Sequence, residues 1–162
     1  MHMQNTFQVT PCRNDNYTLL KTHLPHFLCR EDTIVTNLAN VSALLNVYLD
    51  DINWVGFYLS DGQKLVLGPF QGLPACTTIA LGRGVCGLAA SSHQTQVIHD
   101  VTAIDNHIVC DPNSRSEIVV PMVKDGDVFG VLDVDSPTVA RFDETDRALL
   151  EHVVAMVVDI LP

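Results

Sequence analysis

The side chains able to do chemistry in this chain are thiols and carboxylates. Five cysteines stand at positions 12, 29, 76, 86 and 110 of 162 residues. Cys110 lies in DNHIVCDPNSRSE (105–117), a polar, turn-forming stretch, whereas a free cysteine usually sits in an apolar core. Asp111-Pro112 behind it forms a good N-cap and N1 pair for a short helical turn. A thiol just before a helix start is biased toward thiolate. Arg115 adds to that bias and Asp111 opposes it. Cys86, in GRGVCG, falls at or just inside another helix start, and Cys76 falls on a strand after the Gly72-Leu73-Pro74 turn. For Cys76 and Cys86 a small buried hydrophobe is the plain alternative. The count is odd and no CxxC pair occurs, so the readings are spectators, metal ligands or redox groups. A zinc site from Cys76, Cys86, Cys110 and His107 has only one ligand pair at close spacing, His107 and Cys110. A serine hydrolase lacks the GxSxG elbow.

The acids come next. In VFGVLDVDSP (128–137), Val131, Asp133 and Asp135 point to one face of a strand, and Leu132 and Val134 to the other. The two aspartates are then about 7 Å apart. A solvated strand end explains one aspartate. Glu117, on the preceding strand, joins them only under one hairpin geometry. A two-residue turn at Asp125-Gly126 puts Lys124 opposite Asp127 and turns Glu117 to the far face. A three-residue loop with Gly126 left-handed sets Glu117 opposite Asp133 and diagonal to Asp135. Three acids on one face raise at least one carboxyl pKa and leave a proton available near neutrality. The sequence permits both registers.

These residues need a scaffold. Asn16–Arg30 reads as a helix kinked at Pro25. Thr33–Leu49 reads as a second, with Ile34, Leu38, Val41, Leu45 and Tyr48 as its apolar stripe and Asp32 as N-cap. Strands are predicted at 53–60 and 64–70 around an Asp61-Gly62 turn, at 75–81, at 95–101, and at 117–123 and 128–135 around the second hairpin. A short helix is predicted within 82–93. Residues 102–116 form a long polar connection. The last helix runs through 142–161, with Asp143 as N-cap and Phe142 stapling its entry. Terminal helices around antiparallel hairpins give an α+β domain, with helices on one face of a central sheet and pocket loops on the other.

The whole chain, 1–162, is expected to be a single domain. Hydrophobic residues make up 47% of it, too many for a disordered chain. No apolar run reaches the length of a bilayer span, and the N-terminus has no signal-peptide pattern. A cytoplasmic chain is expected, with its thiols reduced. A net charge of −10, with nine scattered basic residues, speaks against nucleic acid.

The motifs NWVGFYL (53–59), LGPFQGLPAC (67–76), GRGVCG (82–87), HIVCD with SRSEIVVP (107–121), and GVLDVDSP with RFDETD (130–146) resemble those of the free methionine-(R)-sulfoxide reductases. These are stand-alone GAF-domain enzymes. The motifs are spread over residues 53–146, in the family's order. Cys76, Cys86 and Cys110 stand at the family's spacing. The resemblance implies a GAF-like fold and reduction of free methionine sulfoxide without metal or organic cofactor. It implies Cys110 as nucleophile, Cys76 as resolving cysteine, and Cys86 as the third family cysteine and an alternative resolver. It places Glu117, Asp133 and Asp135 around the sulfoxide and amino group, and Trp54 and Tyr58 around the methionine side chain. For those two aromatics the alternative is sheet packing. Thioredoxin as reductant and a homodimer are also implied. A competing expectation is a non-catalytic GAF sensor of a small molecule, since the fold by itself does not fix function. Cys12 and Cys29 fall outside the family's set.

Overall fold

A computed structural model describes residues 7–105, 108 and 110–162. The elements run α1 (Arg13–His23), α2 (Ile34–Tyr48), β1 (Trp54–Ser60), β2 (Lys64–Gly72), β3 (Thr78–Ala80), α3 (Gly84–Ser92), β4 (Gln96–Ile98), β5 (Ser116–Lys124), β6 (Asp127–Ser136) and α4 (Glu144–Ile160). The six strands form one antiparallel sheet in the order β3-β2-β1-β6-β5-β4. The α+β expectation holds. No helix among the described residues is long and apolar enough to cross a membrane.

Strand alternation divides the interior in two. Val55, Phe57, Ile118, Val120, Met122, Leu132 and Val134 face α1, α2 and α4 in the larger core. Trp54, Tyr58, Val119 and Val131 face the other way and pack with Val85, Cys86, Ala89 and Ala90 of α3. The pocket face is therefore roofed in part by a helix as well as by loops, which refines the expected layering.

Several local expectations are corrected. The first helix starts at Arg13 and gives way at His23 to a single 3-10 turn, Leu24–Phe27, which contains Pro25. Proline has no N–H and clashes with a preceding α-turn. Thr33, not Asp32, caps α2, accepting from the Thr36 N–H. Asp143 caps α4 as expected, in a reciprocal capping box with Asp146. Phe142 does not staple that helix. The fourth helical position is Arg147, which pairs with Glu151, and Phe142 is buried in the larger core instead.

The second hairpin follows neither register expected of it. Asp125 and Gly126 both have positive φ, 52° and 86°, and Lys124 pairs with Asp127. That is the two-residue turn, which by itself sends Glu117 to the helix face. However, the pairing slips between Val123↔Val128 and Met122↔Gly130, leaving Phe129 as an extra residue in β6. This β-bulge changes the parity of everything beyond it. Glu117 consequently pairs with Asp135 and lies diagonal to Asp133. Gly130 follows the bulge, at a point where any Cβ would run into the Tyr58 carbonyl of β1.

Candidate active site

The bulge brings three acids to one place. Glu117 and Asp133 are each only 6% exposed, and Asp135 is partly buried beside them. Burial raises all three carboxyl pKa values. The charge of Asp133 pushes Glu117 and Asp135 up further, and the charge of Asp111 adds to the rise at Asp135. Asp133 is pushed up to about 6, chiefly by desolvation. One Asp133 oxygen is buried without a hydrogen-bond partner. Like charges this close cannot all ionise in a dry site, so the trio holds at least one proton near neutrality.

Cys86 points into the same group. It is buried at the third position of α3, and its Sγ lies 3.9 Å from Glu117 Oε1. Burial and the three acids push its thiol well up. Its place at a helix start does not favour the thiolate, because burial first and the nearby acids second oppose ionisation.

Cys76 and Cys110 are joined in a disulfide, with Cα atoms 5.5 Å apart and a sequence separation of 34. The zinc set weighed as an alternative is thereby broken, since two of its four ligands are covalently paired. His107 lies outside the described residues. The short turn expected after Cys110 is a single one that does not continue into a helix, with Asp111 in the capping role. Residues 111–114 form a single turn, in which Asp111 Oδ1 accepts from the Asn113 N–H (2.8 Å) and the Ser114 N–H donates to the Asp111 carbonyl (3.2 Å). Arg115 pairs with Asp100 at 3.6 Å.

The aromatic residues both pack and hold loops. Trp54 and Tyr58 stack at 5.9 Å between centroids, and Trp54 stacks on Phe70 at 5.2 Å. Trp54 Nε1 donates to the Leu73 carbonyl (3.1 Å), and the Tyr58 hydroxyl donates to the Cys76 carbonyl (2.9 Å). Together they fix the 73–76 loop that carries Cys76.

Seven of the eight expected site residues line one cleft, which contains about 550 Å³ counting its open mouth; the eighth, Cys76, is tied to its wall through the disulfide to Cys110. Asp111, Ser114 and Arg83 also line it. Asn53 stands just behind, donating from Nδ2 to Asp111 Oδ2 (2.9 Å) and Ser114 Oγ (3.0 Å). Its backbone N–H donates to the Asp135 carbonyl (2.9 Å). The sequence reading gave Asn53 no role. An Asn just before a strand looks like any turn residue, and its partners are about sixty positions away.

A curled antiparallel sheet with a pocket between one face and its covering loops is the arrangement of a GAF domain. The chain matches the GAF domain family over residues 30–160 and belongs to it. It is 45% identical to the free methionine-R-sulfoxide reductase of Escherichia coli over 149 residues, covering 92% of this chain and 90% of that protein. It superimposes on the fRMsr of Staphylococcus aureus in complex with substrate with a TM-score of 0.86 and 48% identity, covering 96% and 99% of the two chains. The free methionine-R-sulfoxide reductase of Neisseria meningitidis in complex with its substrate gives 0.85 and 39%, covering 99% and 95%. Within the GAF domains, the chain belongs to the free methionine-R-sulfoxide reductase family.

Proposed function

We propose that this protein reduces free methionine-R-sulfoxide to methionine in the cleft between Cys110 and the acid trio. The observation that carries the reading is the Cys76–Cys110 disulfide on the rim of a cleft floored by Glu117, Asp133 and Asp135. A sulfoxide becomes a good electrophile at sulfur once its oxygen is protonated. A carboxyl held neutral by its neighbours supplies that proton. Cys110 as thiolate attacks the sulfur, the sulfoxide oxygen passes to Cys110, and methionine leaves. This consumes one thiol and yields a sulfenic acid. Cys76 then condenses with the sulfenic acid, forming the disulfide and releasing water.

An external dithiol returns both thiols by exchange. We assign this role to thioredoxin, in the cytoplasm, and we expect a homodimer. An ionised aspartate of the trio pairs with the substrate ammonium. A methionine inside a polypeptide has no such ammonium, which limits the substrate to the free amino acid. Trp54 and Tyr58 enclose the side chain. Cys86 remains a second thiol near the floor, but the environment that disfavours its thiolate makes Cys76 the resolver.

The test is NADPH consumption with thioredoxin, thioredoxin reductase and free methionine-R-sulfoxide. Turnover is expected, and C110S abolishes it while leaving the fold intact. C76S retains one stoichiometric release of methionine and loses the thioredoxin-linked cycle. Absence of turnover in the parent protein refutes the reading, and undiminished cycling in C76S refutes the role of Cys76.

A further inference from the structure

We infer that the floor of the cleft is also a binding site for one thiophilic divalent cation, of the Zn²⁺ and Cd²⁺ class, ligated by Cys86, Glu117 and Asp133. Ligand atoms from these three buried residues lie within 4.8 Å of one another. Among the described residues no other group of three or more His, Cys, Asp or Glu side chains comes so close. A tetrahedral ion with bonds of about 2.3 Å to sulfur and about 2.1 Å to oxygen needs S···O separations of about 3.6 Å. The Cys86 Sγ to Glu117 Oε1 distance is 3.9 Å, so a few tenths of an ångström complete the geometry.

An independent feature points to a ligand here. Asp133 is 6% exposed, lines the cleft, and has one oxygen buried without a hydrogen-bond partner. A buried polar atom in that state calls for an ion or a donor.

The chemistry selects the ion. The acids that oppose ionisation of the Cys86 thiol become its co-ligands once a dication is present, because the ion's charge reverses the local balance. Binding forms a metal–sulfur bond and releases the thiol proton, together with any proton the acids hold. Hard cations such as Ca²⁺ and Mg²⁺ favour six or more oxygen ligands, and a site with one sulfur and two carboxylates favours a softer ion. The ion and the substrate ammonium would exclude each other. This last point rests on the proposed reductase reading, whereas metal binding does not.

The experiment uses the full chain carrying C12S and C29S in its Cys76–Cys110 disulfide form, which leaves Cys86 as the one thiol. CdCl₂ is titrated in while the sulfur-to-cadmium charge-transfer band is read, with the ¹¹³Cd chemical shift as a second measure of thiolate ligation. One-to-one saturation is expected, at least tenfold tighter at pH 8 than at pH 7, since each released proton is worth tenfold per pH unit. D133N and E117Q each weaken binding by tenfold or more, and C86S abolishes the band. The two carboxyl variants carry the test if C86S does not fold. Absence of the band, its persistence in folded C86S, or an affinity unchanged by pH overturns the site. Excess methionine is expected to displace the ion. Cadmium binding that methionine does not disturb upholds the metal site and overturns the ammonium placement.

Discussion

Replacing Asp133 with asparagine is expected to stabilise the protein above neutrality and to do little in acid. Asp133 is 6% exposed and its pKa moves from 3.8 to about 6, mainly through desolvation. A carboxyl whose folded pKa is raised holds its proton longer in the folded state. Between pH 4 and pH 6 the folded state therefore binds more protons than the unfolded state. Stability then falls as pH rises, by about 1.4 kcal/mol per pH unit for one such group. Over that window Asp133 alone costs about 3 kcal/mol, all of it incurred by pH 7. Glu117 and Asp135 carry raised pKa values as well, so the parent's decline extends further up the pH scale. Asparagine removes the Asp133 share. It also removes a charge that pushes Glu117 and Asp135 up, so their part of the decline ends at lower pH. The measurement is urea unfolding of parent and D133N at half-unit steps from pH 4.5 to 8. Because about 1 kcal/mol is already lost by pH 4.5, the difference in unfolding free energy should grow in favour of D133N by about 2 kcal/mol across the measured range. Any constant offset from the lost carboxyl contacts does not affect that slope. Two parallel pH profiles would refute the argument that the trio is a buried, mutually repelling unit.

Two other outcomes follow from the geometry. Y58F loses the hydroxyl contact to the Cys76 carbonyl, a bond worth about 1 kcal/mol. Disulfide closure after sulfoxide reduction should slow severalfold by rapid-quench thiol trapping, with KM for the sulfoxide little changed. Reducing the Cys76–Cys110 bond, which spans 34 positions, should lower stability by about 3 to 4 kcal/mol on the loop-entropy estimate. Chemical denaturation of the C12S/C29S protein with and without reductant reads this directly.

Much of the scaffold was legible because it rests on local rules. Period-two alternation sorted Asp133 and Asp135 from Leu132 and Val134, and the sheet keeps that division. Asp125-Gly126 takes positive φ at both positions, as that dipeptide does in a two-residue hairpin turn. Asp143 caps α4 through its own side chain. Cys110 attracted attention because its neighbours were polar, and its unusual place is explained by a partner on another loop.

What depended on long-range packing was out of reach of local rules. The turn expected after Cys110 is a single one and does not continue as a helix. There, Asn53 ties Asp111 and Ser114 to the start of β1, contacts that no local rule foresees. The position of Glu117 turned on one extra residue, Phe129, whose bulge sits where Gly130 crosses close to the Tyr58 backbone. A turn sets the register only up to the first bulge, and a bulge answers to the neighbouring strand. The amino-acid sequence by itself thus singled out the thiols and carboxylates able to do chemistry and the strand face that Asp133 and Asp135 share. The family resemblance implied that Cys76 serves Cys110 and that the three acids share a site, but only the tertiary structure supplies the contacts: the Cys76–Cys110 bond, Cys86 buried against Glu117, and three acids from two strands in one place. Those meetings join residues 16 to 34 positions apart, and only the closed sheet with its loops brings such distances down to bonding range.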